Sequence, residues 1–201
     1  MFTEPYLLDM TSRRDTVRAL AGIAALPLVG KIGLYDLADI GRRAHALTDA
    51  GDKDSAPLRA LTAAEFEAVT QAAEHIIPRT STPGATDAKV ANFIDVMMAD
   101  WYDPKERDRF KYGLKELDTR ATVLMGSPFT QLAPAKQVEL LEMLDQEYQT
   151  LRREPAEHAD ERWFATLKYL TIWGYYTSRV GIEQELKQQL VAGHYDGNAP
   201  Y

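Results

Sequence analysis

Residues 163–176 read WFATLKYLTIWGYY, and how this stretch is buried decides the fold. It holds six of the chain's 19 aromatic residues in 14 positions, with Lys168 as its only charge. Wound as a helix, it puts Trp163, Leu167, Leu170 and Gly174 on one face and Tyr169, Ile172, Trp173 and Tyr176 on another. A helix that is apolar nearly all round is either the centre of its own bundle or buried between its bundle and a partner. Either way, other helices must cover it.

Those helices are marked upstream. Thr62 stands three residues before Glu65, which forms a capping box. Leu61, Phe66, Val69, Ala73 and Ile76 then fall on one stripe, and Pro78 with Thr80–Ser81–Thr82–Pro83–Gly84 ends it. Asp87 is placed to cap the next helix, whose apolar face is Val90, Phe93, Ile94, Met97 and Trp101. Asp103-Pro104-Lys105-Glu106 is a second start signal, with Pro at the first helical position. That helix turns Phe110, Leu114, Leu117 and Ala121 inward and stops near Gly126–Ser127–Pro128. Pro134 opens another, with Val138, Leu141, Leu144 and Tyr148, and Asp160 opens the helix containing 163–176. The chain has 27 Ala and 22 Leu against 17 Val plus Ile, a helical composition. No segment sustains period-2 alternation between turn signals. The expected fold is all-α, a single bundle of about five core helices with a signal-like N-terminal segment and an extended C-terminal tail.

At 201 residues the chain is one domain by length, and about 70% of its unfolded surface can be buried. It has no cysteine, which excludes disulfides, thiolate nucleophiles, zinc ribbons, thiolate-held iron–sulfur clusters and c-type haem attachment. A net charge of −7 argues against a nucleic-acid footprint, which requires a clustered positive field.

Ser12-Arg13-Arg14 precedes 12 uncharged residues, Ala19 to Gly30. The run is too short to span a hydrocarbon core of about 30 Å, so no membrane span is expected, but its length suits a signal-peptide apolar region. The paired arginines are similar to a twin-arginine export signal. Thr16 and Val17 depart from that signal's usual Phe and Leu, and three acidic residues neutralise the three arginines of residues 1–18. Ala44-His45-Ala46 is the nearest small-x-small cleavage candidate. Residues 1–46 are therefore read as signal-like segment and linker, and residues 47–201 as the helical domain with its tail.

Little points to chemistry. His45, His75, His158 and His194 are scattered, and no Glu-x-x-His pair brings two ligands to one helix face. There is no phosphate loop, dinucleotide fingerprint, nucleophile elbow or zincin motif. Glu139, Glu142, Asp145 and Glu147 read as a solvated outer face. No catalytic, cofactor-binding or metal-binding residue is expected in this chain. The tail residues Tyr195, Gly197, Pro200 and Tyr201 suit docking on another protein. Trp163, Trp173, Tyr176, Tyr195 and Tyr201 are the candidate partner-contact residues.

Leu61-Thr62-Ala63-Ala64-Glu65-Phe66 leading to Ile76-Ile77-Pro78 and Thr82-Pro83-Gly84-Ala85 resembles the opening of the gluconate 2-dehydrogenase small-subunit family (subunit three). Gly174-Tyr175-Tyr176-Thr177-Ser178 with Gly181 resembles its closing signature, and Gly193-His194-Tyr195-Asp196-Gly197 its tail, with Ala192 where members often carry Pro. The resemblance implies an accessory subunit paired with a large FAD-dependent oxidoreductase of the glucose–methanol–choline type, often completed by a multihaem cytochrome c. It places the flavin and the sugar site in the large subunit. It also implies a role in maturation and in twin-arginine co-export to the periplasm, where the complex can associate with the inner membrane. Two other readings are open: a stand-alone helical binding protein with a pocket around Trp101, Trp163 and Trp173, and an enzyme with a His-held metal.

Overall fold

The computed structural model describes residues 34–50, 57–151 and 163–187. These form α1 (Leu34–Ala50), α2 (Ala63–Ile76), α3 (Val90–Asp100), α4 (Pro104–Met125), α5 (Pro134–Leu151) and α6 (Trp163–Thr177). A 3₁₀ turn (Phe129–Gln131) links α4 to α5, and a π-helical turn (Gly181–Glu185) follows α6. There is no strand among the described residues. The fold is the expected all-α bundle.

The centre of the bundle is α6. Thirteen of its 15 residues are buried, and each of the other five helices packs on it. Both apolar faces read from the sequence are therefore covered by the chain itself. Two glycines set how close the neighbours come. A Cβ on Gly113 of α4 would sit 2.0 Å from the Trp163 ring, and one on Gly174 of α6 would sit 2.7 Å from the Phe93 ring.

The helix starts follow from the caps. Thr62 with Glu65 and Asp103 with Glu106 both form complete capping boxes, and Pro104 occupies the first turn of α4. Gly126 ends α4 in the left-handed conformation, φ 87°, which glycine adopts without steric cost. Asp87 does not cap α3. Its carboxylate accepts from the Gly84 amide at 2.9 Å and pairs with Arg79, which closes the preceding loop. Lys89, at φ 52°, precedes α3 with no side-chain cap. Asp160 lies outside the described residues.

The segment preceding α2 is held from inside the bundle. Asp95, in the middle of α3 and buried, accepts three consecutive amides: Arg59 at 2.8 Å, Ala60 at 2.9 Å and Leu61 at 2.8 Å. The sequence shows Asp95 only as one charge within an apolar run. What it holds lies 34–36 residues away, where no helical periodicity points.

α1 runs straight through position 46, where the sequence suggested a boundary. Ile40, Gly41, Ala44 and Thr48 are buried, and α1 packs on α3 and α6. His45 stacks on Phe93 with ring centroids 4.7 Å apart, and its Nε2 lies 3.0 Å from the Thr177 hydroxyl. That hydroxyl donates its own hydrogen to the Trp173 carbonyl at 2.6 Å, so His45 Nε2 is the donor.

Replacing Asp95 with Ala leaves three amides without their charged acceptor. We expect Asp95→Ala to destabilise the chain by about 3 kcal/mol in urea denaturation, and Asp95→Asn by less. A loss under about 1 kcal/mol for Asp95→Ala would show that solvent satisfies these amides.

Candidate functional site

The sequence-predicted partner contacts divide into two groups. Trp163, Trp173 and Tyr176 are 6%, 3% and 8% exposed and belong to the chain's own core. This corrects the expectation that they present a partner surface: the covering helices are α1–α5. Trp173 meets Phe93 edge-on at 5.6 Å, and Tyr176 meets Tyr175 edge-on at 5.1 Å. Ser12, Arg13, Arg14, Tyr195 and Tyr201 lie outside the described residues. The three tryptophans do not converge on one pocket. Trp101 is half-buried at the end of α3, and Trp173 is enclosed between α1 and α3.

Buried polar side chains are committed to structure. Gln137, buried in α5, donates from Nε2 to Gln71 at 2.6 Å and to the Phe129 carbonyl at 2.8 Å. Its oxygen accepts from His75 Nε2 at 2.7 Å, so this histidine joins α2 to α5. Lys168 of α6 donates to Asp145 at 2.6 Å. Asp145 is therefore not a member of a solvated face: it turns inward because a buried ammonium without a partner is costly. Tyr148 and Tyr169 bring their hydroxyls within 3.2 Å. Among the described residues, no group of three His, Asp or Glu side chains is placed to hold a metal. No described helix is long and apolar enough to cross a membrane.

A groove of about 940 Å³ lies between α4 and α5. Its α4 wall carries Lys105, Asp108, Arg109, Tyr112, Glu116 and Arg120; α5 supplies Leu144, Glu147 and Tyr148, and the start of α6 supplies Trp163 and Phe164. Arg120 crosses it, 2.6 Å from Glu147 and 3.5 Å from Glu116. Partial burial opposes the guanidinium charge, but the bond to Glu147 and the two carboxylates outweigh it and hold the proton more firmly than usual. No sequence pattern points to this groove. Its residues come from helices brought together only by packing.

A second polar cluster fixes the loop between α2 and α3. Glu74 accepts the Arg79 and Thr86 amides, each at 2.9 Å, and Tyr175 donates to the Pro83 carbonyl at 2.7 Å. Burial, then the charge of Glu185, pushes the Tyr175 phenol up to about 12. Burial and Glu106 push Tyr102 up as well.

The interior polar groups of the bundle hold its helices and loops in register. The model of the family described as gluconate 2-dehydrogenase subunit 3 matches residues 63–193, and the chain belongs to that family. It is a small subunit of a dehydrogenase complex, associated with a catalytic subunit. No curated protein and no solved structure matches the chain.

The Tyr175 shift has a measurable consequence. A phenol with a raised folded pKa contributes its stability in full below its ordinary value of 10.0 and loses it as the pH rises towards about 12. The thermal midpoint should therefore fall between pH 10 and 12. Tyr175→Phe should cost about 1 kcal/mol at neutral pH through the lost hydrogen bond, and its alkaline decline should be shallower. Parallel declines in both proteins would assign the effect to other groups.

Proposed function

We propose that this chain is the non-catalytic small subunit of a periplasmic, FAD-dependent sugar or glycoside dehydrogenase. Its catalytic subunit would be of the glucose–methanol–choline type, with a cytochrome c as electron acceptor. The chain's task is to bind that subunit, stabilise it during maturation and accompany it through twin-arginine export. The observation that carries the reading is the family match over residues 63–193, which takes in α2–α6. What the chain shares with the family is therefore the bundle itself. The destinations of Asp95, Gln137, His75 and Lys168 in that bundle support a scaffolding role.

The placement of α1 supports a joint journey of leader and bundle. Residues 1–33 lead directly into a helix whose Ala44 is fully buried and whose His45 is bonded to α6. A cut after Ala46 would remove most of that helix from its seat. In this reading the leader stays attached, or is cut upstream of Leu34. The tail Gly193–Tyr201, with Tyr195 and Tyr201, adds a second contact with the catalytic subunit.

A flavoprotein must fold around FAD before leaving the cytoplasm, where the cofactor is made, so only a route for folded cargo serves it. Arg presents a planar fork of donors that Lys does not reproduce. We expect Arg13→Lys combined with Arg14→Lys to leave the complex assembled but confined to the cytoplasm, with both subunits lost from the periplasm together. Fractionation followed by dye-linked dehydrogenase activity measures this. Undiminished periplasmic activity would show that the arginines play no part in export. The chain purified without partners should show no flavin or haem absorbance, and a bound chromophore would overturn the accessory reading.

A further inference from the structure

We propose that the groove between α4 and α5 seats the catalytic subunit, and that it takes an amphipathic helix of that subunit by its apolar face. The proposal rests on the accessory-subunit reading and adds to it the surface and the chemistry of contact.

The shape fits a helix. From Lys105 to Arg120 the groove follows 16 residues of α4, a length of about 22 Å, or four helical turns. Tyr112, Glu116 and Arg120 recur at intervals of four and so form one row along its wall. Trp163 and Phe164, buried at the start of α6, close the floor from below and show only ring edges to it. Two helical walls over an apolar floor are the geometry of helix-in-groove recognition.

The exposed apolar residues are concentrated on the same two helices. Leu47, Tyr112, Val123, Leu124 and Met143 are the large hydrophobics most exposed to solvent among the described residues, and four of these five lie on α4 and α5. Tyr112 stands in the groove at 67% exposure. Leu124 lies one turn beyond Arg120 on α4, and Met143 lies one turn before Glu147 on α5. Arg120 bonds to Glu147, so both apolar residues extend the seam past that crossing. Single exposed hydrophobics are ordinary, whereas a line of them continuing a groove marks a docking surface.

Charge selects the occupant. Among the described residues, the groove's lining carries three basic residues, Lys105, Arg109 and Arg120, and three acidic ones, Asp108, Glu116 and Glu147. It is neutral in a chain of net charge −7. A sugar acid or another anion finds no net positive field there, because the Arg120 guanidinium is held by two carboxylates. A second copy of this chain would bring its own −7 against the first, which opposes self-association. A neutral, apolar helix face of the catalytic subunit meets neither obstacle. Aromatic anchors such as Tyr112 commonly carry the energy of such contacts.

The test uses the 201-residue chain and a tagged flavin-dependent dehydrogenase catalytic subunit from the same source. Affinity is measured for wild type, Tyr112→Glu, Leu124→Glu with Met143→Glu, and Arg79→Glu, a control on the exposed α2–α3 loop. All are surface changes, and circular dichroism melts verify that each variant is folded. Tyr112→Glu should bind at least tenfold more weakly, as should the double variant, while Arg79→Glu binds as wild type does. Tyr112→Glu and the double variant both within twofold of wild type would overturn the groove assignment and leave the accessory reading standing. Self-association of wild type that Tyr112→Glu abolishes, with capture of the catalytic subunit unchanged, would assign the groove to a second copy and overturn the proposal. A wild-type chain that does not pair at all would overturn the accessory reading and the groove with it.

Discussion

Everything in this bundle depends on the burial of α6 on all sides. A helix with 13 of 15 residues enclosed cannot rely on water for any of its polar atoms. Lys168 is therefore matched by Asp145, and Tyr169 by Tyr148. Thr171 turns its hydroxyl back to the Leu167 carbonyl at 2.8 Å, and Thr177 does the same to Trp173. Past its end, Ser178 donates to Tyr175 and accepts the Gly181 amide, which leads the chain into the π-helical turn. The surrounding helices are placed by what α6 presents. α4 comes close where Gly113 makes room for Trp163, and α3 comes close where Gly174 makes room for Phe93.

The excess of acidic residues has a structural side. Several carboxylates are backbone acceptors. Asp95 takes three amides before α2, Glu74 takes two in the α2–α3 loop, and Asp87 takes one there. Asp118 takes the Phe129 amide at 2.9 Å and fixes the turn after α4, while Thr62, Glu65, Asp103 and Glu106 cap α2 and α4. Charge-assisted bonds of this kind are stronger than neutral ones. They fix the connections between the helices.

This distribution of polar groups also separates the interior from the surface that remains for recognition. The large aromatics of α6 are enclosed, so the contacts left to a partner are those the bundle leaves open. The α4–α5 seam is such a place, because Arg120 is tied to Glu116 and Glu147 while Tyr112, Leu124 and Met143 stay exposed on the same two helices. In the proposed docking mode, a seam whose described charges balance leaves the rest of the acidic surface solvated.

The sequence by itself determined the helical class, the capping boxes at Thr62 and Asp103, the stop at Gly126 and the inward residues of α4. These are local: each depends on backbone groups or side chains within about one turn. It also marked 163–176 as a helix that had to be surrounded, and its motifs led to the family. Only the tertiary structure decided what surrounds it. The partner surface expected of Trp163, Trp173 and Tyr176 proved to be the chain's own core, because an all-round apolar helix looks the same whether a neighbour belongs to its own chain or to another. Likewise, α1 runs through Ala44-His45-Ala46, which the sequence offers as a cleavage candidate, and His45 is anchored by Phe93 and Thr177, far off in sequence. Asp95, Gln137 and the α4–α5 groove were illegible for the same reason. Their partners lie tens of residues away, and no short-range pattern encodes a contact that only packing creates.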